Sequence, residues 1–175
     1  MTTQDRRNVI DKYKGVPHEQ IVADLDLSPI ELEIAIENLE RDFNMGTIVR
    51  NANAFGVRHL HVIGRKQWNK RGAMMTDKYL HVHYYATVSE FMKAIDGKVL
   101  IAIDNVEGSV PLHQAQMPAD SVLLFGAEGP GISEELLRSA SRIVAIEQLG
   151  STRSINVGVA AGIAMYVWLQ QHHLS

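Results

Sequence analysis

The chain reads as an α/β domain with a mainly parallel sheet flanked by helices, and three observations lead there. Short apolar, β-branched runs recur along the chain, helical patterns lie between them, and polar or glycine-rich loops follow several of the runs. Strands that alternate with helices need crossover connections, so the sheet is mainly parallel and covered on both faces. The 175 residues are enough for one domain with its own core. Ligands of such folds bind beyond the carboxyl ends of strands, which directs attention to the loops around Asp104, Gly126 and Leu149.

In chain order, residues 1–28 carry a helical His-Glu-Gln-Ile-Val-Ala-Asp-Leu stretch and form an N-terminal helical appendage to the main domain, 29–175. Strands are predicted near residues 32–37, 59–63, 82–85, 99–103, 122–125 and 143–146. Asn44 can cap a helix running to Phe55, and Val88, Phe91, Met92 and Ile95 share one helical face. Ser133 followed by Glu134 and Glu135 makes a favourable helix start, since acids suit the positive end of the helix dipole. The last helix is expected to begin near Ile155. Its nearly apolar run, 155–169, is interrupted by Asn156 and is shorter than the roughly 18–20 residues a membrane span needs, so it reads as a buried or interface helix.

Composition excludes several classes. Seventeen Lys and Arg against twenty Asp and Glu give a net charge of -3, so any nucleic-acid binding must be local. The absence of cysteine removes disulfides, thiolate metal sites and Cys nucleophiles. The first fourteen residues are too polar for a signal peptide, and a cytoplasmic address is expected. Charge is unevenly spread: ten of the twenty acids precede Phe43, whereas residues 43–76 contain six Lys or Arg and no acid. That stretch is either a solvated cationic face or a binding surface. His59, His61, His81 and His83 alternate along strands rather than clustering at metal-ligand spacing, so no metal site is expected, and His172 and His173 read as a fraying helix end.

Three segments carry chemistry. The first runs from Asn44 to Gly56. An Asn at a positively ended helix, followed by Arg50, suits an anionic ligand, although a capped helix with a surface arginine would read the same way. The second, 124–133, sets Gly126, Gly129, Gly131 and Pro130 around Glu128 directly after an apolar strand, so backbone can approach a ligand closely. Its glycine spacing differs from the G-x-G-x-x-G dinucleotide fingerprint, and no Gly-Lys-Ser or Gly-Lys-Thr phosphate loop occurs. The third, 146–162, is a polar loop running into an apolar helix. Capping explains one of Ser154 and Asn156 but not both with Arg153, and Gly158 and Gly162 permit close helix contact.

Taken in order, Asn44-x-Gly46-x-Ile48-x-Arg50-x-Ala52-x-Ala54-Phe55-Gly56, then Phe125-Gly126-x-Glu128-Gly129-x-Gly131, then Ile146-x-x-x-Gly150-x-x-x-Ser154-Ile155-Asn156-Val157, the chain resembles the SpoU-type RNA ribose 2′-O-methyltransferases of the SPOUT superfamily. The likeness covers about residues 31–169, and 1–28 carry no family signature. The resemblance implies a C-terminal trefoil knot, a homodimer and S-adenosylmethionine as cofactor. It implies a cofactor site of backbone groups at Gly126, Gly131, Ile146, Leu149 and Ser154. Arg50 corresponds to the family's catalytic arginine. Its high pKa makes it a poor base, so it is expected to hold the adjacent phosphate and stabilise a developing alkoxide. Asn44 would orient Arg50 or the ribose, Glu128 would fix the active-site network, and Ser154 and Asn156 would hold the motif loops and substrate.

The implied substrate is structured RNA, tRNA or rRNA. Arg65, Lys66, Lys70 and Arg71, with Trp68 among them, would make a basic loop for it, with Trp68 either stacking on an unpaired base or plugging the loop from beneath. The chain departs from the family at Ala127, often Asn, at Glu147, usually Pro, and at Gly158, commonly Ser. A non-catalytic knotted RNA-binding or assembly dimer that retains the fold is the alternative reading.

Overall fold

A computed structural model describes residues 5–38, 44–127 and 129–174. Twelve regular elements follow in order: α1 (His18–Asp26), β1 (Glu33–Asn38), α2 (Asn44–Ala54), β2 (His59–Gly64), β3 (His81–Tyr85), α3 (Val88–Ala94), β4 (Val99–Ile103), β5 (Val110–Pro111), β6 (Ser121–Phe125), α4 (Glu134–Ser139), β7 (Arg142–Ala145) and α5 (Val157–His172). The strands form a seven-stranded sheet in the order β3-β2-β1-β6-β4-β7-β5, and every pairing is parallel.

Each predicted strand is present to within a residue or two. The short β5 was not foreseen, because two residues with a proline carry no alternating pattern. Helix α5 begins at Val157 rather than near Ile155, because Asn156 takes the cap: its Oδ1 accepts from the Gly158 and Val159 amides at 2.9 and 3.2 Å. Asn44 is the first described residue of α2, and what precedes it lies outside the described residues. Ser133 caps α4 by accepting from the Leu136 amide. Thr87 and Glu90 cap α3 reciprocally, the Glu90 amide donating to Thr87 and the Ala86 amide to Glu90.

The period-2 rule explains the layers. Ile34, Ile36, Leu123, Phe125, Ile101 and Ile103 point to the face covered by α2 and α5. Ala35, Leu100, Ala102, Val122 and Leu124 point to the face covered by α3 and α4 through Phe91, Ile95 and Leu136. Helix α5 is apolar enough to be buried on one side, with Ala161, Ala164, Met165 and Trp168 fully enclosed. No helix among the described residues is long and apolar enough to cross a membrane. His172 is not frayed: its Nε2 pairs with the Met117 carbonyl at 2.8 Å, and its ring packs on Trp168.

Residues 5–27 lie against the β2–β3 side of the sheet. The buried Arg58 guanidinium donates to Asp26 of α1 at 2.8 Å and to the Tyr79 carbonyl at 2.6 Å, joining the appendage to the 3₁₀ turn Thr76–Tyr79.

Parallel register also sets His59 opposite His81 and His61 opposite His83, producing a cross-strand stack of imidazoles with centroids 5.2–5.3 Å apart. His61 Nε2 lies 2.7 Å from Glu33 Oε2, and Lys98 approaches the other Glu33 oxygen at 2.9 Å. Burial alone would raise the Glu33 pKa, but these hydrogen bonds outweigh it and hold the carboxyl at about 2. His59 and His83 sit below the ordinary imidazole value, first because burial disfavours the charged ring and then because neighbouring imidazoles repel a second charge.

An unfolded chain therefore takes up protons at these two rings near pH 6.5, where the folded chain does not. Their stabilising contribution is complete above that pH and falls below it, while that of Glu33 is lost only at lower pH, below its ordinary 4.5. Urea midpoints should hold steady from pH 8 to 7 and decline from about 6.5 toward 5. His83→Asn should flatten that decline, and an unchanged profile in the variant would remove the stack as its source.

Candidate functional site

The carboxyl ends of β4, β6 and β7 open into three loops that enclose a cavity of about 290 Å³. The second loop is the tightest. At Gly126 a Cβ would lie 2.2 Å from the Gly131 carbonyl carbon and 2.5 Å from the Ile132 amide, so only glycine lets the two ends of the loop cross. Gly131 has φ +73 and donates its amide to the Ala127 carbonyl at 3.1 Å, closing the turn. Ala127 is buried by that bridge. Asp104, just past β4, locks the crossing: its Oδ2 accepts from the Ile132 amide at 3.1 Å, and its Oδ1 accepts from the Asn105 amide at 2.8 Å. Asn105 in turn donates to the Arg153 carbonyl at 3.1 Å, tying the first loop to the third.

Gly126, Gly131, Ile146, Ser154 and Asn156 all line this cavity. Leu149 does not: its side chain is fully exposed, because the loop turns outward between Gln148 and Ser154. Ser154 stands in that loop rather than in the first turn of α5. Glu128 lies outside the described residues. Ile103, Ile146, Ile155 and Val157 give the wall an apolar surface, while Gln148 contributes a buried Oε1 that has no hydrogen-bond partner among the described residues. That unsatisfied acceptor is a residue sequence reasoning missed. Its only advance signal was a polar side chain in the third motif. Glu147 has a structural use in this chain, pairing with His113 of the turn after β5.

Helix α5 continues from this wall onto α2. Asn156 Nδ2 donates to Asn44 Oδ1 at 2.7 Å, so the two predicted asparagines are brought into direct contact. Asn51 Nδ2 donates to the Gly158 carbonyl at 3.0 Å. A Cβ at Gly158 would meet Thr47 Cγ2 at 2.8 Å, which accounts for glycine where a serine is common: the branched Thr47 fills the space. Arg50 is exposed on the same face as Thr47, makes no hydrogen bond or ion pair among the described residues, and is not on the cavity wall.

The basic loop divides. Arg65, Lys66 and Arg71 are exposed, and Lys70 pairs with Asp77 at 2.7 Å. Trp68 is 9% exposed and belongs to the core beneath the loop, its ring covered by the Lys70 ammonium at 5.4 Å. The plug reading is the correct one, because a buried indole cannot stack on a base while the loop keeps this conformation.

Fold and site together define a class: a parallel α/β protein with a ligand pocket walled by glycine backbone at the ends of its strands. Residues 31–166 match the SpoU rRNA Methylase family, and the chain belongs to that family. It is similar to the tRNA (guanosine(18)-2'-O)-methyltransferase of Escherichia coli K12, 23% identical over 141 residues that make up 78% of this chain and 62% of the relative. The Thermus thermophilus protein of the same name is 26% identical over 146 residues, 78% of this chain and 73% of the relative.

Among solved structures, an A. aeolicus TrmH/SpoU tRNA modifying enzyme superposes with TM-score 0.78 at 23% identity, covering 90% of this chain and 83% of that one. A structure concerned with the 2-OH methylation of C/U34 on tRNA gives TM-score 0.73 at 27% identity, covering 82% and 97%. The AviRb SpoU methyltransferase from Streptomyces viridochromogenes, in complex with AdoMet, gives 0.75 at 21% identity, covering 87% and 65%. The implied knot comes with family membership.

The glycine crossing makes a direct prediction. Gly126→Ala should lower stability by about 1–3 kcal/mol through overpacking, whereas Gly150→Ala, with nothing within 4 Å of its Cβ, should leave it unchanged. Urea unfolding of both variants measures the contrast.

Proposed function

We propose that this chain is an S-adenosylmethionine-dependent methyltransferase that modifies a ribose 2′-hydroxyl in structured RNA, tRNA or rRNA. The observation that carries the reading is the convergence of the second and third motif loops on one pocket, with Asn156 bridging it to the helix of the first. Relatives named as tRNA 2'-O-methyltransferases support the substrate class, and an AdoMet-bound relative of the same fold supports the cofactor.

The residues present suit that cofactor. Backbone at Gly126, Gly129 and Gly131 leaves no side chains in the way, the isoleucine wall accepts a flat ring, and the unpartnered Gln148 Oε1 offers an acceptor to one of its N–H groups. When bound, the cofactor supplies the sulfonium methyl that the ribose oxygen takes. Arg50, exposed on the helix that Asn156 joins to the pocket, holds the phosphate next to the target ribose and stabilises the alkoxide as it develops. The hydroxyl proton passes to that phosphate or to water, since a guanidinium carries no free acceptor at neutral pH. Asn44 and Asn156, hydrogen-bonded to each other, hold α2 against the loop so that Arg50 and the pocket keep one spacing. Ser154 lines the pocket wall, and the motif position of Glu128 assigns it to the same active-site network.

The protein works as a homodimer, as the exposed face of α5 supports: Val159, Ile163 and Tyr166 lie one turn apart and leave an apolar stripe, extended by Phe55 against Tyr166. A second copy covering that stripe would also meet α2 at Phe55. The residue division at 28–29 and the cytoplasmic address belong to this same reading.

Incubation with labelled cofactor and unmodified total RNA should yield alkali-resistant 2′-O-methyl dinucleotides, and absence of label with the cofactor bound would leave only a non-catalytic binder. Arg50→Ala should abolish transfer while calorimetry shows nearly unchanged cofactor affinity. A large loss of affinity would instead place Arg50 in the cofactor site.

A further inference from the structure

A second cavity, of about 650 Å³, lies between the N-terminal appendage and the segment 70–79. Its size falls in the roughly 300–1,000 Å³ range of pockets that enclose a drug-sized ligand. Two of its cations are already neutralised, Arg7 by Asp5 at 2.6 Å and Lys70 by Asp77 at 2.7 Å. Arg6, Arg71 and Lys78 are exposed on its wall without an ion pair among the described residues, against one carboxylate, Glu19. Three unpaired cations against one carboxylate leave the concavity net positive and raise the local concentration of anions.

The floor of the same cavity is unusual in a different way. Met74 and Met75 both hold left-handed backbone, φ +48 and +65, and both are more than half exposed. Consecutive bulky residues in that region cost backbone strain, and methionines in water forgo burial as well. The preceding turn, Arg71–Ala73, is held from below, where Gly46 of α2 meets it so closely that a Cβ would stand 2.6 Å from the Ala73 amide. A turn pinned this tightly presents two polarizable side chains beside unpaired cations, a pairing of surfaces that matches a nucleotide, whose base is apolar on its faces and whose phosphate is anionic.

Resting on the function proposed above, we infer that this cleft takes an unpaired nucleotide of the substrate RNA, its phosphate held by Arg6, Arg71 and Lys78 and its base lying on Met74 and Met75. The appendage thereby becomes part of the RNA site rather than a packing accessory. Connectivity supports one continuous path. On α2, Thr47 lies between the turn carrying Arg71, with its amide 3.1 Å from where a Gly72 Cβ would stand, and Gly158 behind the methyl-donor pocket. Arg50 follows one helical turn on, on the side of Thr47 away from Asn44, so a strand anchored in the cleft meets α2 at Thr47, within about a turn of both Arg50 and the pocket edge at Asn156.

Binding of an unmodified tRNA transcript, followed by fluorescence anisotropy across a salt series with S-adenosylmethionine present, tests this. Arg6→Gln combined with Lys78→Gln should weaken RNA binding at least about tenfold and reduce the salt slope by about 1.4, the value for two single-strand phosphates. Calorimetric cofactor affinity and the melting temperature should stay as in the parent. Met74→Ser with Met75→Ser should weaken binding about fivefold with the slope unchanged, since no phosphate contact is lost. Crosslinks from 4-thiouridine-substituted RNA should map to residues 74–79. Unchanged affinity in either double variant, while the parent chain binds RNA, would overturn the cleft and leave the methyltransferase reading intact. Failure of the parent to bind any RNA would sink that reading and the cleft with it.

Discussion

The molecule depends on a place where two stretches of backbone cross with no side chain between them. At Gly126 and Gly131 the loop after β6 folds onto itself at distances that exclude even a methyl group, and the Asp104 carboxylate fixes the crossing by accepting the Ile132 amide. Because this side of the pocket is then main chain, its shape there is set by hydrogen bonds and φ angles rather than by rotamers. A backbone wall is rigid and offers amides and carbonyls at fixed positions, which suits the alignment of a methyl donor with an oxygen that the proposed function requires.

The same economy recurs where α5 lies on α2. Gly158 and Gly162 bring the helices close, Thr47 and Asn51 fill the gaps, and the Asn156–Asn44 hydrogen bond couples the cap of one helix to the start of the other. Asn156 thus satisfies three polar groups at once: two orphan amides of its own helix and the side-chain oxygen of Asn44. The pocket on one side and Arg50 on the other are therefore parts of one packed unit, and a displacement at the helix crossing would be felt at both.

Away from the pocket, β2 and β3 concentrate titratable groups on one face. Parallel register stacks the imidazoles, Glu33 anchors the stack through His61, and Lys98 balances the carboxylate. None of these side chains lines either cavity. The cluster is a stabilising device with a pH limit, distinct from the cationic cleft built by the appendage and the 70–79 segment.

The strands and the layer order were legible in the residues themselves, because short continuous apolar runs such as 121–125 and capping residues such as Ser133 act over a few positions. The order of the three motifs marked the family, and the glycines of 126–131 announced a backbone-built loop. What the residues alone left undecided was long-range. Whether Trp68 faced solvent or core depended on what packed beneath the loop. Leu149 and Ser154 stand five positions apart in one exposed loop, yet only Ser154 lines the pocket. Asn44 met Asn156 across 112 residues. The histidines looked like mere alternation until strand register set them opposite one another. Local sequence dictates conformation through sterics and hydrogen bonds of near neighbours, but which side chains share a pocket is a property of topology, and only the folded chain supplies it.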